Sequence, residues 1–245
     1  MHRSAPRLTR ILACAAVPVM LVVAGCSSDS DSKGSGSDGG SSTSSETSSP
    51  GGEQSPPALE PAKYAKLPEP CKALTSKTVE ELVPKVKNKS GTAGTSNDTG
   101  ARGSCSWNGL EDKGVKGSNY RWLDVSFQRF ESESGIGSGE DRAGDAYKKE
   151  VAAVRATEKA ESVNSSPASG VGEDATAVSY GLTKSGEDFK YATIVARTGN
   201  VVVTVGYNGT GFAGAKNPDP SQLMKDAVTA AKEAVASVAK ANQVS

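Results

Sequence analysis

Residues 27–57 contain no hydrophobic side chain; they are Ser, Gly, Asp, Thr, Glu, Gln, Pro and one Lys. Such a stretch cannot bury enough apolar surface to offset the entropy of ordering it, so it reads as a disordered tether. As a Gly/Ser-rich coil of about 31 residues it spans roughly 30 Å on average. Pro56, Pro57, Pro61, Pro68 and Pro70 stiffen its far end. Whatever folds must therefore lie beyond it. The sequence divides into residues 1–25, residues 26–66 with the tether, and a domain at 67–245 whose folded part reaches about Asn242. That part is about 176 residues long, enough for one domain with its own core.

The segment before the tether has three parts. Arg3, Arg7 and Arg10 are followed by an apolar run, Ile11 to Val23, with Cys14 and Pro18 inside it, and then by Val23-Ala24-Gly25-Cys26. The run is too short to span a bilayer as a helix, which needs roughly 20 residues. The positive start, apolar core and small-residue end are those of a secretory signal. Val23-Ala24-Gly25-Cys26 resembles the lipobox of bacterial lipoproteins. The resemblance implies removal of residues 1–25, a thioether diacylglycerol and an N-acyl group on Cys26, and a domain held by lipid on the extracytoplasmic face of a bacterial cell membrane. A thiolate is the nucleophile such a transfer needs, and two or three acyl chains hold firmly where one does not. The competing reading is an uncleaved signal anchor with an incidental cysteine.

Loss of the three signal arginines leaves 25 Lys+Arg against 28 Asp+Glu, a net charge of −3. There is no basic excess to hold nucleic acid phosphates. The single histidine, His2, lies in the signal, so the mature chain has none. This excludes Ser-His-Asp and Cys-His nucleophilic sites. With Cys14 discarded and Cys26 lipidated, Cys71 and Cys105 remain. An exported pair reads as one disulfide; the alternative is two free buried thiols. Two cysteines without histidine make a poor metal site, and no cofactor is implied.

Thr75 caps a short helix with Val79, Leu82 and Val83 on its apolar side and Pro84 at its end. Residues 85–104 read as a loop, and Cys105-Ser106-Trp107 begins a strand. Tyr120 to Phe130 alternates clearly, with Leu123, Val125 and Phe127 on one side and Asp124, Ser126 and Gln128 on the other. Arg142 to Ala160 reads as a helix with Ala143, Tyr147, Val151 and Val154 on one face. Ala175–Leu182, Phe189–Arg197 and Val201–Tyr207 read as strands, the last two paired across Thr198-Gly199-Asn200. Asp219 and Pro220 open a final helix with a stripe of Met224, Val228, Ala231, Val235 and Val238. This order predicts an α+β fold, a single antiparallel sheet with helices packed on it.

Pro70-Cys71-Lys72-Ala73-Leu74-Thr75, Cys105-Ser106-Trp107 and Gly170-Val171-Gly172-Glu173-Asp174-Ala175 together resemble an actinobacterial lipoprotein family, the domain of unknown function 3558. That family joins a lipobox and a Ser/Gly/Thr-rich tether to a Pro-Cys-x-x-Leu-Thr opening and a Cys-x-Trp strand. The resemblance covers most of the mature domain and adds support for pairing Cys71 with Cys105. It implies no catalytic residue.

Several segments carry partial site patterns. Gly135-Ile136-Gly137-Ser138-Gly139 lies between a strand and a helix, where a phosphate loop would sit. Glu131, Glu133, Glu140 and Asp141 surround it and repel phosphate, and their spacing does not match a calcium loop. Ser237-Val238-Ala239-Lys240 matches S-x-x-K without its companion motifs. Two carboxylates could perform acid–base work, but no spacing selects a pair. The sequons at Asn88, Asn97, Asn164 and Asn208 mark surface loops. Trp107, Trp122, Tyr120, Tyr191 and Tyr207 are the strand aromatics. They read mainly as core, except that Tyr120 and Trp122 fall opposite Leu123, Val125 and Phe127 and would form a contact patch if that face is uncovered.

The leading expectation is a non-catalytic binding module, anchored to the membrane and contacting an envelope protein, glycan or lipid ligand. The runner-up is a carrier of a small apolar or lipid molecule, which would need an internal apolar cavity. A carboxylate-dependent enzyme is third.

Overall fold

The computed structural model describes residues 59–243. The apolar run, Cys26 and the polar stretch 27–57 thus lie outside the described residues. Three helices, α1 (Ser76–Leu82), α2 (Gly139–Arg155) and α3 (Pro220–Ala241), accompany seven strands. The strands are β1 (Thr92–Ala93), β2 (Arg102–Asp112), β3 (Ser118–Arg129), β4 (Glu161–Pro167), β5 (Asp174–Lys184), β6 (Glu187–Thr198) and β7 (Val201–Phe212). They form one antiparallel sheet in the order β1-β2-β3-β7-β6-β5-β4. The fold is α+β, one sheet with helices packed on it.

Strand periodicity decides which helix goes where. Successive side chains point to opposite faces, so Val202 and Val203 of β7 part company. Val203 joins Leu123, Val125, Phe127 and Ile194 in the larger core, under α1 and α3. Val202 joins Val195 in a smaller cluster with Ala143 and Val151 of α2 on the other face. The alternation read in β3 is the one observed: Leu123, Val125 and Phe127 are buried.

The helix starts follow from capping. The Thr75 hydroxyl accepts from the Thr78 N–H at 3.2 Å, and the Asp219 carboxylate accepts from the Gln222 N–H at 2.8 Å. Ser138 does the same for Asp141 at 3.1 Å, which starts α2 at Gly139 rather than at Arg142. Its end comes at Arg155, not Ala160, and Lys159 has a φ of +60° that no α-helix continues through.

The stripe of α3 is a correction. Its buried face is Leu223, Ala227, Ala230, Ala231, Ala234 and Val238, with Met224, Val228 and Val235 only partly buried beside it. Small side chains let the helix backbone approach the sheet closely. The larger ones sit along the flank, where there is room.

Three strand segments fall outside the hydrophobic pattern. Thr92–Ala93 and the first residues of β2 fall in the stretch read as a loop. β4 was not expected at all; it is an edge strand, almost wholly exposed, with a register shift between Glu161 and Asn164. Edge strands with exposed side chains carry no apolar alternation. Asn164 and Asn208 accordingly lie in β4 and β7 rather than in loops.

The chain is held against the domain from Lys63, four residues before Leu67. The Asn200 side chain accepts from the Tyr64 N–H at 2.8 Å and donates to the Tyr64 and Phe130 carbonyls at 2.9 and 2.7 Å. Asn242 accepts from the Ala65 and Lys66 N–H groups and donates to the Lys66 carbonyl. This strap is recognised by its backbone, so hydrophobicity gives no sign of it. Beyond it, Cys71 and Cys105 are bonded, with their Cα atoms 5.1 Å apart.

Candidate functional site

α2 covers only part of its face of the sheet. It rests near the β6–β7 turn through Val195 and Val202, and the Tyr147 and Thr176 hydroxyls meet at 2.6 Å. Among the described residues, no helix packs on the far end of the same face. The register places Asn108, Trp122, Asn208, Tyr191 and Tyr180 in one row across five strands. The next row outward contains Leu110, Tyr120 and Thr210.

These aromatic rings form a connected cluster. Tyr120, Phe189 and Phe212 meet edge-on in a triangle, with centroids 6.2–6.3 Å apart. Tyr180 stacks on Tyr191 at 4.8 Å, and Phe189 adjoins Tyr191 at 6.4 Å. Lys184 lies over the Tyr191 ring at 5.0 Å and donates to its hydroxyl at 2.6 Å. An open cleft of about 370 Å³ lies among Tyr120, Trp122, Lys184, Phe189, Tyr191 and Phe212. Leu110, 43% exposed, extends the apolar surface onto β2.

Toward the middle of the sheet the same face turns polar. Ser106, Asp124, Gly206 and Thr193 form one row, and Ser104, Ser126, Thr204 and Val195 the next. A second open cleft of about 620 Å³ lies over Ser104, Ser126, Thr204 and Gln128, reaching Asp98 on one side and Glu150 of α2 on the other.

Asp124 occupies the space that Gly206 leaves. A Cβ at Gly206 would lie 2.6 Å from the Asp124 Oδ1. The carboxylate accepts from the Trp122 indole N–H at 3.0 Å, which fixes the ring's orientation. Burial pushes the Asp124 carboxyl up to about 6, against the opposing hydrogen bonds from Trp122 and the Gly206 backbone. The folded chain thus holds this proton more tightly than the unfolded chain. The stabilising contribution is complete below pH 3.8 and is lost as pH rises through about 6. A shift of this size is on the order of 2–3 kcal/mol. Asp124→Asn, which keeps an acceptor for Trp122, is expected to raise the melting temperature by several degrees at about pH 8 and hardly at all at about pH 4. Equal shifts at both pH values would assign the effect to another cause.

The strand aromatics divide between the two faces. Trp107 and Tyr207 point into the main core, where the Tyr207 hydroxyl donates to the Leu82 carbonyl. Tyr120, Trp122 and Tyr191 lie together on the open face. Sequence reasoning missed Phe189, Tyr191, Phe212 and Tyr180 as members of the patch. The hairpin register would have placed Phe189 on the side of Tyr191, whereas Phe212 lies beyond the expected end of its strand.

The remaining candidates are tied up within the chain. Around the glycine loop, Glu131 pairs with Arg129 and Glu133 with Arg142. Glu140 accepts from the Lys63 N–H and Asp141 from the Ser138 hydroxyl. Ser237 donates to the Ala234 carbonyl at 2.6 Å, and Lys240 is exposed. Among the described residues, no three His, Cys, Asp or Glu side chains gather as metal ligands.

A family model described as "Protein of unknown function (DUF3558)" matches residues 21–231. Among solved structures, the chain is similar to LpqN, involved in cell envelope biogenesis of Mycobacterium tuberculosis, at 12% identity and a TM-score of 0.28. That likeness covers 58% of this chain and 82% of that one. No curated protein sequence matches the chain.

Proposed function

The chain belongs to the DUF3558 family of proteins of unknown function, and we propose that it is a lipid-anchored, non-catalytic binding module on the extracytoplasmic face of a bacterial cell membrane. The observation that carries the binding role is the half of a sheet face that α2 leaves open, paved with the rings of Tyr120, Trp122, Tyr180, Phe189, Tyr191 and Phe212. Large aromatics gathered on an uncovered face mark a contact surface. The anchor rests on Val23-Ala24-Gly25-Cys26 and the apolar run before it. A carrier would need an internal apolar chamber. Here the alanine face of α3 closes directly on the sheet, and both clefts on the opposite face open to solvent.

Two experiments test the two halves of the reading. Cys26→Ala is expected to abolish metabolic labelling by a fatty-acid analogue and to release the protein from the membrane; continued labelling would sink the anchor. For the face, the purified protein is sedimented with washed envelope fragments. Leu110→Glu, a surface change at the rim of the patch, is expected to reduce the bound fraction about tenfold. Unchanged sedimentation would remove this face from the function.

A further inference from the structure

We propose that the ligand of the open sheet face is a neutral glycan strand of the envelope; this rests on the face being the contact surface. The chemistry along the face is of two kinds in a fixed order. At the outer end are the aromatic rings, with Asn108 and Asn208 in the row of Trp122; toward the middle are the hydroxyls of Ser106, Thr193, Ser104, Ser126 and Thr204 around Asp124. A pyranose ring has the complementary pair, an apolar C–H face that packs on an aromatic ring and a rim of hydroxyls that donate and accept.

Two of the charges on this face have partners within it. The Asp124 carboxylate is held by Trp122 and the Lys184 ammonium by the Tyr191 hydroxyl. The polar cleft is lined by one cation, Arg102, and two carboxylates, Asp98 and Glu150, so it has no net cationic character to draw an anionic headgroup. Rows two residues apart are about 6.6 Å apart. The row of Ser104 and the row of Leu110 and Tyr120 are therefore about 20 Å apart, a length suited to a short run of sugars lying along the strands.

The other occupants fit less well. An acyl chain would leave the hydroxyl row facing it without partners, which is costly where water is excluded. A peptide added as a strand needs a long free edge. The outer strands here are the two residues of β1 and β4; β4 runs beside Tyr180 but shifts register between Glu161 and Asn164, and outside β2 the chain already bridges Gly109 through Val86.

The test uses envelope polysaccharide from the producing bacterium, freed of protein by exhaustive proteolysis and of lipid by solvent extraction. It is titrated calorimetrically into the purified full-length protein. Saturable binding is expected, weakened about tenfold or more by Trp122→Ala, in line with a central aromatic contact, and less by Trp122→Phe. Periodate oxidation of the vicinal diols in the polysaccharide should abolish it. Thermal unfolding shows whether each variant is folded; if Trp122→Ala is not, Leu110→Glu decides. Failure of the polysaccharide to bind overturns the glycan, as does binding that neither variant weakens. If Leu110→Glu still reduces sedimentation with intact envelope, the face remains a contact surface. Protease sensitivity of that sedimentation then assigns a protein ligand, and solvent sensitivity a lipid. If Leu110→Glu changes neither assay, both the glycan and the site fall.

Discussion

Replacing Cys71 and Cys105 together by serine is expected to lower the unfolding free energy by about 3–4 kcal/mol. The bond closes a loop of 34 residues in sequence separation. It joins the short 3-10 turn Pro70–Lys72, where the chain enters, to β2 in the sheet. Between the two cysteines lie α1 and β1. This stretch contributes Val79, Leu82 and Val83 to the core but includes a long, mostly exposed segment around residues 87–100. Such a segment gains most from being tied at both ends. Cys105 is also 1% exposed, so a serine there must bury a hydroxyl. Urea denaturation with and without reductant checks the prediction. The wild type under reductant should approach the double variant, and a loss below about 1 kcal/mol would mean that the bond restrains little.

Trp107→Ala is expected to cost about 3–5 kcal/mol, as for other large-to-small changes of a buried aromatic. Trp107 is 2% exposed, two residues along β2 from Cys105 and on the same side. Its indole N–H donates to the Lys89 carbonyl at 3.3 Å. Gly91 seats the loop on both residues. Its φ is +76°, and a Cβ there would lie 2.4 Å from the Cys105 Sγ and 2.7 Å from the indole nitrogen. Because the two side chains share this loop, removing both should cost less than the two separate losses together. Equilibrium unfolding of the single and combined variants measures that coupling; strict additivity would show that the loop does not link them.

What could be read from the sequence was whatever expresses itself as local chemistry or as large apolar side chains. Asp219 followed by Pro220 announces α3, and Leu123, Val125 and Phe127 announce the inner side of β3. The misses share a cause. Ala227, Ala230 and Ala234 are small and look unimportant in a hydrophobic pattern, yet they are what bring α3 against the sheet. β4 takes its structure from hydrogen bonds to β5 and has no buried side of its own. Asn200 and Asn242 hold backbone, and an asparagine in a sequence does not say which distant peptide it will grip. The contact patch was half visible. Tyr120 and Trp122 could be placed opposite the core of β3. Joining them to Phe189, Tyr191 and Phe212 required the β3–β7 pairing, a long-range contact that brings residue 118 beside residue 212.

The strap has a mechanical consequence. It meets the domain at Asn200, in the β6–β7 turn, while the aromatic rings lie at the opposite end of the same strands. The separation along β7 is twelve residues, or about 40 Å. If one end is held by a lipid and the other by a fixed strand of wall, tension runs lengthwise through β3, β7 and β6. Force in that direction loads the rungs of the ladder in parallel, as shear, and does not open them one at a time like a zipper. The strap itself is the weaker link, since it is held by a few polar contacts. Behind it the Cys71–Cys105 bond fastens the entering chain covalently to the sheet, so a pull strong enough to strip Tyr64 from Asn200 would be arrested at β2.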